Sequence, residues 1–236
     1  MKGVSKMGVK YLNIGNERYK MYTTILFDLD GTLLDTTKGI VDAVVMTLQQ
    51  LKIAIPTDKV LKTFIGPPMQ LSFEKNFGFD KVNALKAANQ FRSNYKTHSL
   101  FQAKLYPGTI ETLTEIKAAG YRVAVATNKS HDNAISILRK FGIAEYCDCM
   151  IGSDLGGKLD KGDIIQLAME QMHVNREESV YIGDSIFDLD GAEKAGVDFI
   201  GVTYGFGFTC DENFQGKKYV GICHSIQEIK DIFINK

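Results

Sequence analysis

Two aspartates, Asp28 and Asp30, stand two residues apart at the end of an apolar stretch, Thr24-Ile25-Leu26-Phe27, and Gly31 follows them. A strand that releases two acids into a loop at its C-terminal edge offers three things. It supplies hard oxygen ligands for a divalent cation, a carboxylate able to attack an electrophile, and a second one able to move a proton. The pentapeptide that holds them, Phe-Asp-Leu-Asp-Gly, occurs twice, at 27–31 and again at 187–191. Context has to say which copy does chemistry.

Three more polar clusters follow apolar runs. Thr127-Asn128-Lys129 succeeds Val123-Ala124-Val125-Ala126, and Lys161 ends the segment Gly156-Gly157-Lys158-Leu159-Asp160-Lys161. Asp184, Ser185 and Asp188 come after Val180-Tyr181-Ile182-Gly183. If the apolar runs are strands of one parallel sheet, all four clusters meet at the edge where such folds bind ligands. The residue types then suit phosphoryl transfer. Asp28, Asp30 and Asp184 suit Mg²⁺, which keeps waters and takes a phosphate oxygen. A nearby carboxylate can attack phosphorus and form an aspartyl-phosphate. Lys161 supplies charge, and Thr127 with backbone N–H groups supplies neutral donors to the equatorial oxygens. Asp30 is the candidate acid that protonates the leaving oxygen and then activates water.

The elements that must position these groups are legible in the periodicity. Strands are predicted at 23–28, 121–127, 148–152, 179–183 and 197–202, each nearly continuous in apolar residues, as strands buried on both faces should be. Helices are predicted at 108–119, 131–141, 161–173 and 187–195, with Gly120, Gly142 and Gly196 at their ends. The alternation gives an α/β fold with a Rossmann-like parallel sheet core and helices on both faces. Residues 36–102 break the pattern with helical stretches at 38–51, 57–64, 68–76 and 80–98, and Pro107-Gly108 marks the return. The expected organisation is an extension at 1–20, a core of 21–35 and 103–236, and a helical cap at 36–102.

Composition narrows the partners. With 236 residues the chain can bury a core and carry an insertion, and 28 basic against 28 acidic residues argue against broad attraction to nucleic acid. No stretch approaches the roughly 20 apolar residues of a membrane span. Residues 1–20 are polar and basic without an apolar core, so they do not read as a secretory signal. Whether they are natural or expression-derived stays open, with Met21 an alternative start. Cys147, Cys149, Cys210 and Cys223 lack zinc-site spacing and read as reduced thiols of a cytoplasmic protein. None of the four histidines has metal-ligand spacing.

The four clusters, in this order and with a helical insertion after the first, resemble the haloacid dehalogenase superfamily of phosphohydrolases over about residues 24–233. The resemblance implies that Asp28 is the nucleophile and Asp30 the acid/base. It implies that Thr127 and Lys161 hold the phosphoryl group, and that Asp184 binds Mg²⁺ together with Asp28 and the Asp30 carbonyl. Asp188 would support that shell. Gly31 and Asn128 would contact the phosphate. Phe64-Ile65-Gly66-Pro67-Pro68, followed by Ser72-Phe73, looks like the cap loop of the phosphoglycolate phosphatase-like branch, which makes Gly66 and Pro67 substrate contacts. The implied activity is Mg²⁺-dependent hydrolysis of a small phosphorylated metabolite by a monomer or homodimer, with a phosphoglycolate-like substrate leading. A phosphomutase of the β-phosphoglucomutase type, a 5′-nucleotidase and a pyrophosphatase are the alternatives. A non-catalytic binding protein should have lost a site carboxylate, and none is missing.

By the same resemblance the first Phe-Asp-Leu-Asp-Gly is the catalytic copy. The second contributes Asp188 alone, with Asp190 a solvated helix position. Lys129 reads as a surface charge, and Lys158 competes with Lys161 for the cationic role. Phe64, Phe73, Phe77, Phe79 and Phe91 read as cap core.

Overall fold

The computed structural model describes residues 11–13, 19–154 and 158–234. Most of the expected 1–20 extension lies outside them, as do Gly156 and Gly157. Its described parts, β1 (Tyr11–Asn13) and β2 (Tyr19–Met21), pair antiparallel. The chain divides into two compact units, one of residues 1–33 with 105–236 and one of residues 34–104.

In the larger unit, six parallel strands are β3 (Thr24–Phe27), β6 (Arg122–Ser130), β7 (Cys149–Ser153), β8 (Ser179–Gly183), β9 (Asp198–Val202) and β10 (Gly221–Cys223). Their order is β10-β9-β8-β3-β6-β7. Strand β3 is wholly buried, with β8 on one side and β6 on the other. Leu26 aligns with Ala124 of β6 and Tyr181 of β8, so the three share one face of the sheet. That face buries Ile164, Ile165 and Ala168 of helix α7 (Lys161–Met172) and Leu189 and Ala192 of α8 (Ile186–Ala195). The remaining helices of this unit are α5 (Thr109–Ala118), α6 (His131–Lys140) and α9 (Ile226–Ile234). The chain passes from β3 to β6 and β7 on one side and then crosses to β8 on the other, so the strand order switches beside β3, where sheets of this kind bind ligands at their C-terminal ends.

The smaller unit is helical, as the periodicity predicts: α1 (Thr37–Gln50), α2 (Asp58–Lys62), α3 (Met69–Phe77) and α4 (Lys81–Asn94). Its centre is aromatic. Phe64 and Phe73 meet edge to face at 5.1 Å, and Phe73 stacks on Phe79 at 6.0 Å. Buried Asn94 donates to Thr47 Oγ1 at 3.0 Å and Gln50 Oε1 at 2.9 Å, fastening α4 to α1. The single helix predicted for 80–98 ends as α-helix at Asn94 and continues as a wider π-turn over Tyr95–Ser99. Two short strands, β4 (Leu34–Asp35) and β5 (Lys104–Leu105), pair with each other. Both were invisible in a two-residue pattern. Strand β10 and helix α9 were also missed, because Gly221-Ile222-Cys223 is too short for a period to register.

Candidate active site

Apart from Gly66 and Pro67, the residues below lie within the larger unit. The chain leaves β3 at Phe27, but Asp28 N–H still donates to Ile182 O at 2.9 Å, so the nucleophile candidate is held by the sheet's own ladder. Asp28, Asp184 and Asp188 are buried and each offers an oxygen within 4.8 Å of the others. Helix α7 begins with a capping box between Asp160 and Asp163, which places Lys161 at the first helical position. From there the Lys161 ammonium reaches Asp28 Oδ1 at 2.7 Å and Asp188 Oδ1 at 2.8 Å. Lys158 is exposed, and its backbone N–H donates to Asp154 Oδ1 at 3.0 Å.

Asp188 serves two structures at once. Its Oδ2 accepts from Ser185 N–H at 3.0 Å and Ser185 Oγ at 2.6 Å, which caps α8, while its Oδ1 faces Lys161. Asp184 is braced from a different loop: its Oδ2 accepts N–H bonds from Phe206 at 2.6 Å and Gly207 at 3.1 Å. Gly31 has φ +86°, and a Cβ there would lie 2.4 Å from Asp184 Oδ2. Any other residue would be strained and would collide with the second carboxylate. Gly205 fits as closely, its Cβ position being 2.4 Å from both Asp184 Cβ and Gly31 O.

Three carboxylates against one ammonium leave the cluster short of positive charge. Burial pushes the Asp28 carboxyl up to about 6, with Lys161 opposing and Asp188 and Asp30 adding to the rise. Burial, then Asp188 and Asp28, also hold Asp184 well above the usual carboxylate range. Burial alone would lower Lys161, but the Asp188 and Asp28 carboxylates outweigh it and hold it charged. All-oxygen donors with an unmet demand for a cation are what Mg²⁺ requires.

Strand β6 runs on to Ser130, with a register shift between Thr127 and Ser130. The cluster Thr127-Asn128-Lys129 therefore lies on the irregular end of a strand and not in the loop beyond it. Thr127 is buried, and its Oγ1 accepts the Lys129 N–H at 3.3 Å, a bond that does not use its own hydroxyl hydrogen. Asn128 is half-buried. Lys129 corrects the sequence reading: it is no surface charge, since its side chain is only 6% exposed and its Nζ lies 3.0 Å from Asp30 Oδ2. The Asp30 carboxylate is outside the three-carboxylate group, so its side chain does not join that donor set. Asp190 is exposed, as expected. Gly66 and Pro67 belong to the helical unit, in the turn ahead of α3, where Gly66 has φ +98° and open space around it.

Two contributors escaped the sequence reading. Tyr181, placed there as an ordinary strand residue, accepts from Lys161 Nζ at 3.1 Å and donates to Ala126 O at 2.7 Å. The loop after β9 supplies the braces on Asp184. Its alternating Gly205-Phe206-Gly207, beginning three residues past a predicted strand, was the available signal. Gly191 closes the second pentapeptide, and a Cβ there would lie 2.3 Å from Lys161 Cγ, so the lysine stem lies flat across α8.

A family model described as haloacid dehalogenase-like hydrolase matches residues 25–202. A 5′-nucleotidase of Pseudomonas aeruginosa is 36% identical over 187 residues, 79% of this chain and 85% of that protein. A phosphoglycolate phosphatase of Colwellia psychrerythraea is 31% identical over 204 residues, 83% and 90% of the two chains. Among solved structures, a predicted phosphatase from Clostridium acetobutylicum superposes with a TM-score of 0.82 at 36% identity, covering 89% of this chain and 97% of its own.

Proposed function

Because the chain belongs to the haloacid dehalogenase-like hydrolases and is a phosphatase of that family, we propose that Asp28 is its phosphoryl acceptor and a small phosphomonoester its substrate. The observation that carries this reading is the Lys161 ammonium, buried against Asp28 at 2.7 Å within a cluster of three carboxylates. The buried oxygens of Asp28, Asp184 and Asp188 fit Mg²⁺, with the Asp30 carbonyl a further donor. When bound, the ion polarises the phosphoryl group and offsets its charge.

The residues of the chain do the rest. Asp28 attacks phosphorus while the protonated Asp30 gives its proton to the leaving oxygen. Lys161 and the Thr127 hydroxyl hold the phosphoryl oxygens, with Gly31 and Asn128 beside them. Water then displaces Asp28 from phosphorus and returns a proton to Asp30. The helical unit, with Gly66 and Pro67 in its turn, is the proposed source of substrate selectivity. A phosphoglycolate-like substrate leads, by analogy with the Colwellia relative. A 5′-nucleotide is the second reading, favoured by the identity to the Pseudomonas protein.

The test is a screen of phosphorylated metabolites with Mg²⁺, ranked by kcat/KM, for the wild type and Asp28→Asn. Phosphate release that needs both Mg²⁺ and Asp28 is expected. Undiminished hydrolysis by Asp28→Asn, or isomer interconversion without phosphate release, would overturn the proposal.

A further inference from the structure

Lys129 has no task in the scheme above, yet it is built into the site. Holding an ammonium at 6% exposure is unfavourable unless a partner offsets it, so a buried lysine here calls for a physical reason. It lies in the stretch between Thr127 and Ser130 where β6 shifts register against β7, and such irregularities re-aim side chains. Its Nζ lies 3.0 Å from Asp30 Oδ2. The other oxygen of the same carboxyl, Oδ1, is also buried and has no hydrogen-bond partner among the described residues.

The chemistry of the two heads assigns the proton. An ammonium only donates and never accepts. The Asp30 oxygen facing Lys129 must therefore be an acceptor, and when Asp30 is protonated the hydrogen has to sit on Oδ1. We propose that Lys129 is a positioning residue for the acid/base: it holds Oδ2 and so presents Oδ1 as the oxygen that exchanges protons with substrate and water. The inference rests on the role given to Asp30 above. In the first step the Asp28–phosphorus bond forms, the bond to the leaving oxygen breaks, and the Oδ1 proton goes to that oxygen. In the second step water bonds to phosphorus, the Asp28–phosphorus bond breaks, and the water's proton returns to Oδ1. Lys129 gains and loses nothing.

The experiment compares leaving groups. p-Nitrophenolate leaves without a proton, whereas an alkoxide does not. Lys129→Met should therefore release a stoichiometric burst of p-nitrophenol from p-nitrophenyl phosphate within about 3-fold of the wild-type rate. Turnover after the burst should be slow, because water still needs the base. On the best alkyl phosphate of the screen there should be no burst, and kcat should fall about 100-fold, in the range of general acid catalysis. Lys129→Arg, also donor-only, should restore the wild-type ratio of alkyl to aryl rates. Lys129→Gln, whose amide can accept, carries the Met expectation if the Met variant does not fold. Equal losses on both substrates without a burst, or unchanged kinetics, would overturn the inference. A wild type without phosphatase activity, or an active Asp28→Asn, defeats the earlier reading instead.

Discussion

Gly205→Ala adds a single methyl group and should weaken Mg²⁺ binding without replacing a proposed ligand. The new Cβ would lie 2.4 Å from Asp184 Cβ, 2.4 Å from Gly31 O and 2.5 Å from Asp184 Oδ2. Ordinary contact between such atoms begins near 3.5 Å, so either Asp184 or the loop must move by about 1 Å. Neither can yield without consequence. Asp184 sits 2% exposed in close packing, and Gly31 O belongs to the backbone of the nucleophile loop. If the 205–207 loop retreats instead, the Phe206 and Gly207 N–H bonds to Asp184 Oδ2 lengthen, and the brace on the carboxylate is lost. Metal sites tolerate about 0.2 Å of ligand displacement, and loss of an orienting partner typically costs about 10–100-fold in affinity. The expected outcome is a Mg²⁺ dissociation constant raised at least about 10-fold, read by calorimetry and by the Mg²⁺ dependence of kcat/KM. Near-wild-type activity should return at saturating metal. A folded Gly205→Ala protein with unchanged Mg²⁺ affinity would refute the reasoning, because it would mean that Asp184 is not part of the metal shell.

Three other outcomes follow from the geometry. Tyr181→Phe strands the buried Ala126 carbonyl and should cost about 1–3 kcal/mol of stability, at about 2–4 °C in Tm per kcal/mol. Its kcat should fall less than about 10-fold, because Lys161 keeps its two carboxylate partners and about 1.4 kcal/mol corresponds to tenfold in rate; a 100-fold loss would show that the hydroxyl itself positions the ammonium. Asp148 accepts from Lys117 at 2.6 Å and Val123 N–H at 2.7 Å; burial opposes these bonds, but together they hold its carboxyl below the usual value. A depressed carboxyl stabilises the fold above its unfolded pKa of about 4 and stops doing so as pH falls through the folded value. Asp148→Asn should therefore cost under about 1 kcal/mol at pH 7, with the gap to wild type closing below about pH 4 in urea titrations; a gap that is flat with pH counts against the pairing. Finally, Cys210 is exposed, whereas burial pushes the Cys147 and Cys223 thiols up to about 12. Ellman's reagent at pH 8 should find one fast thiol in the native protein and four in denaturant, and two or more fast native thiols would contradict that burial.

The core of the fold was legible because five buried strands and their helices carry strong, uninterrupted periods. The same holds for Asp28, Asp184 and Lys161, whose types and positions after predicted strands make one chemistry, and the geometry now brings them together. What escaped depends on side-chain direction. Lys129 looks like any exposed lysine in a polar triplet until the fold sets it, on the irregular end of β6, beside Asp30. Tyr181 looks like filler in Val180-Tyr181-Ile182, because a period cannot say that its hydroxyl ends beneath Lys161. The braces on Asp184 come from backbone N–H groups, at which only the glycines flanking Phe206 hint.

The two copies of Phe-Asp-Leu-Asp-Gly end in glycines that are bound to their neighbours in different ways. Gly31 is held by its backbone angle and by Asp184, whereas Gly191 is held by the lysine stem that crosses it. Position 191 is thus epistatic with position 161. A bulkier residue at 191 would lift the Lys161 stem from α8 and draw its ammonium off Asp28, and it would be accepted only where residue 161 changes with it. In an evolving lineage the second copy of the string is therefore anchored by the first copy's nucleophile, through a lysine that belongs to neither.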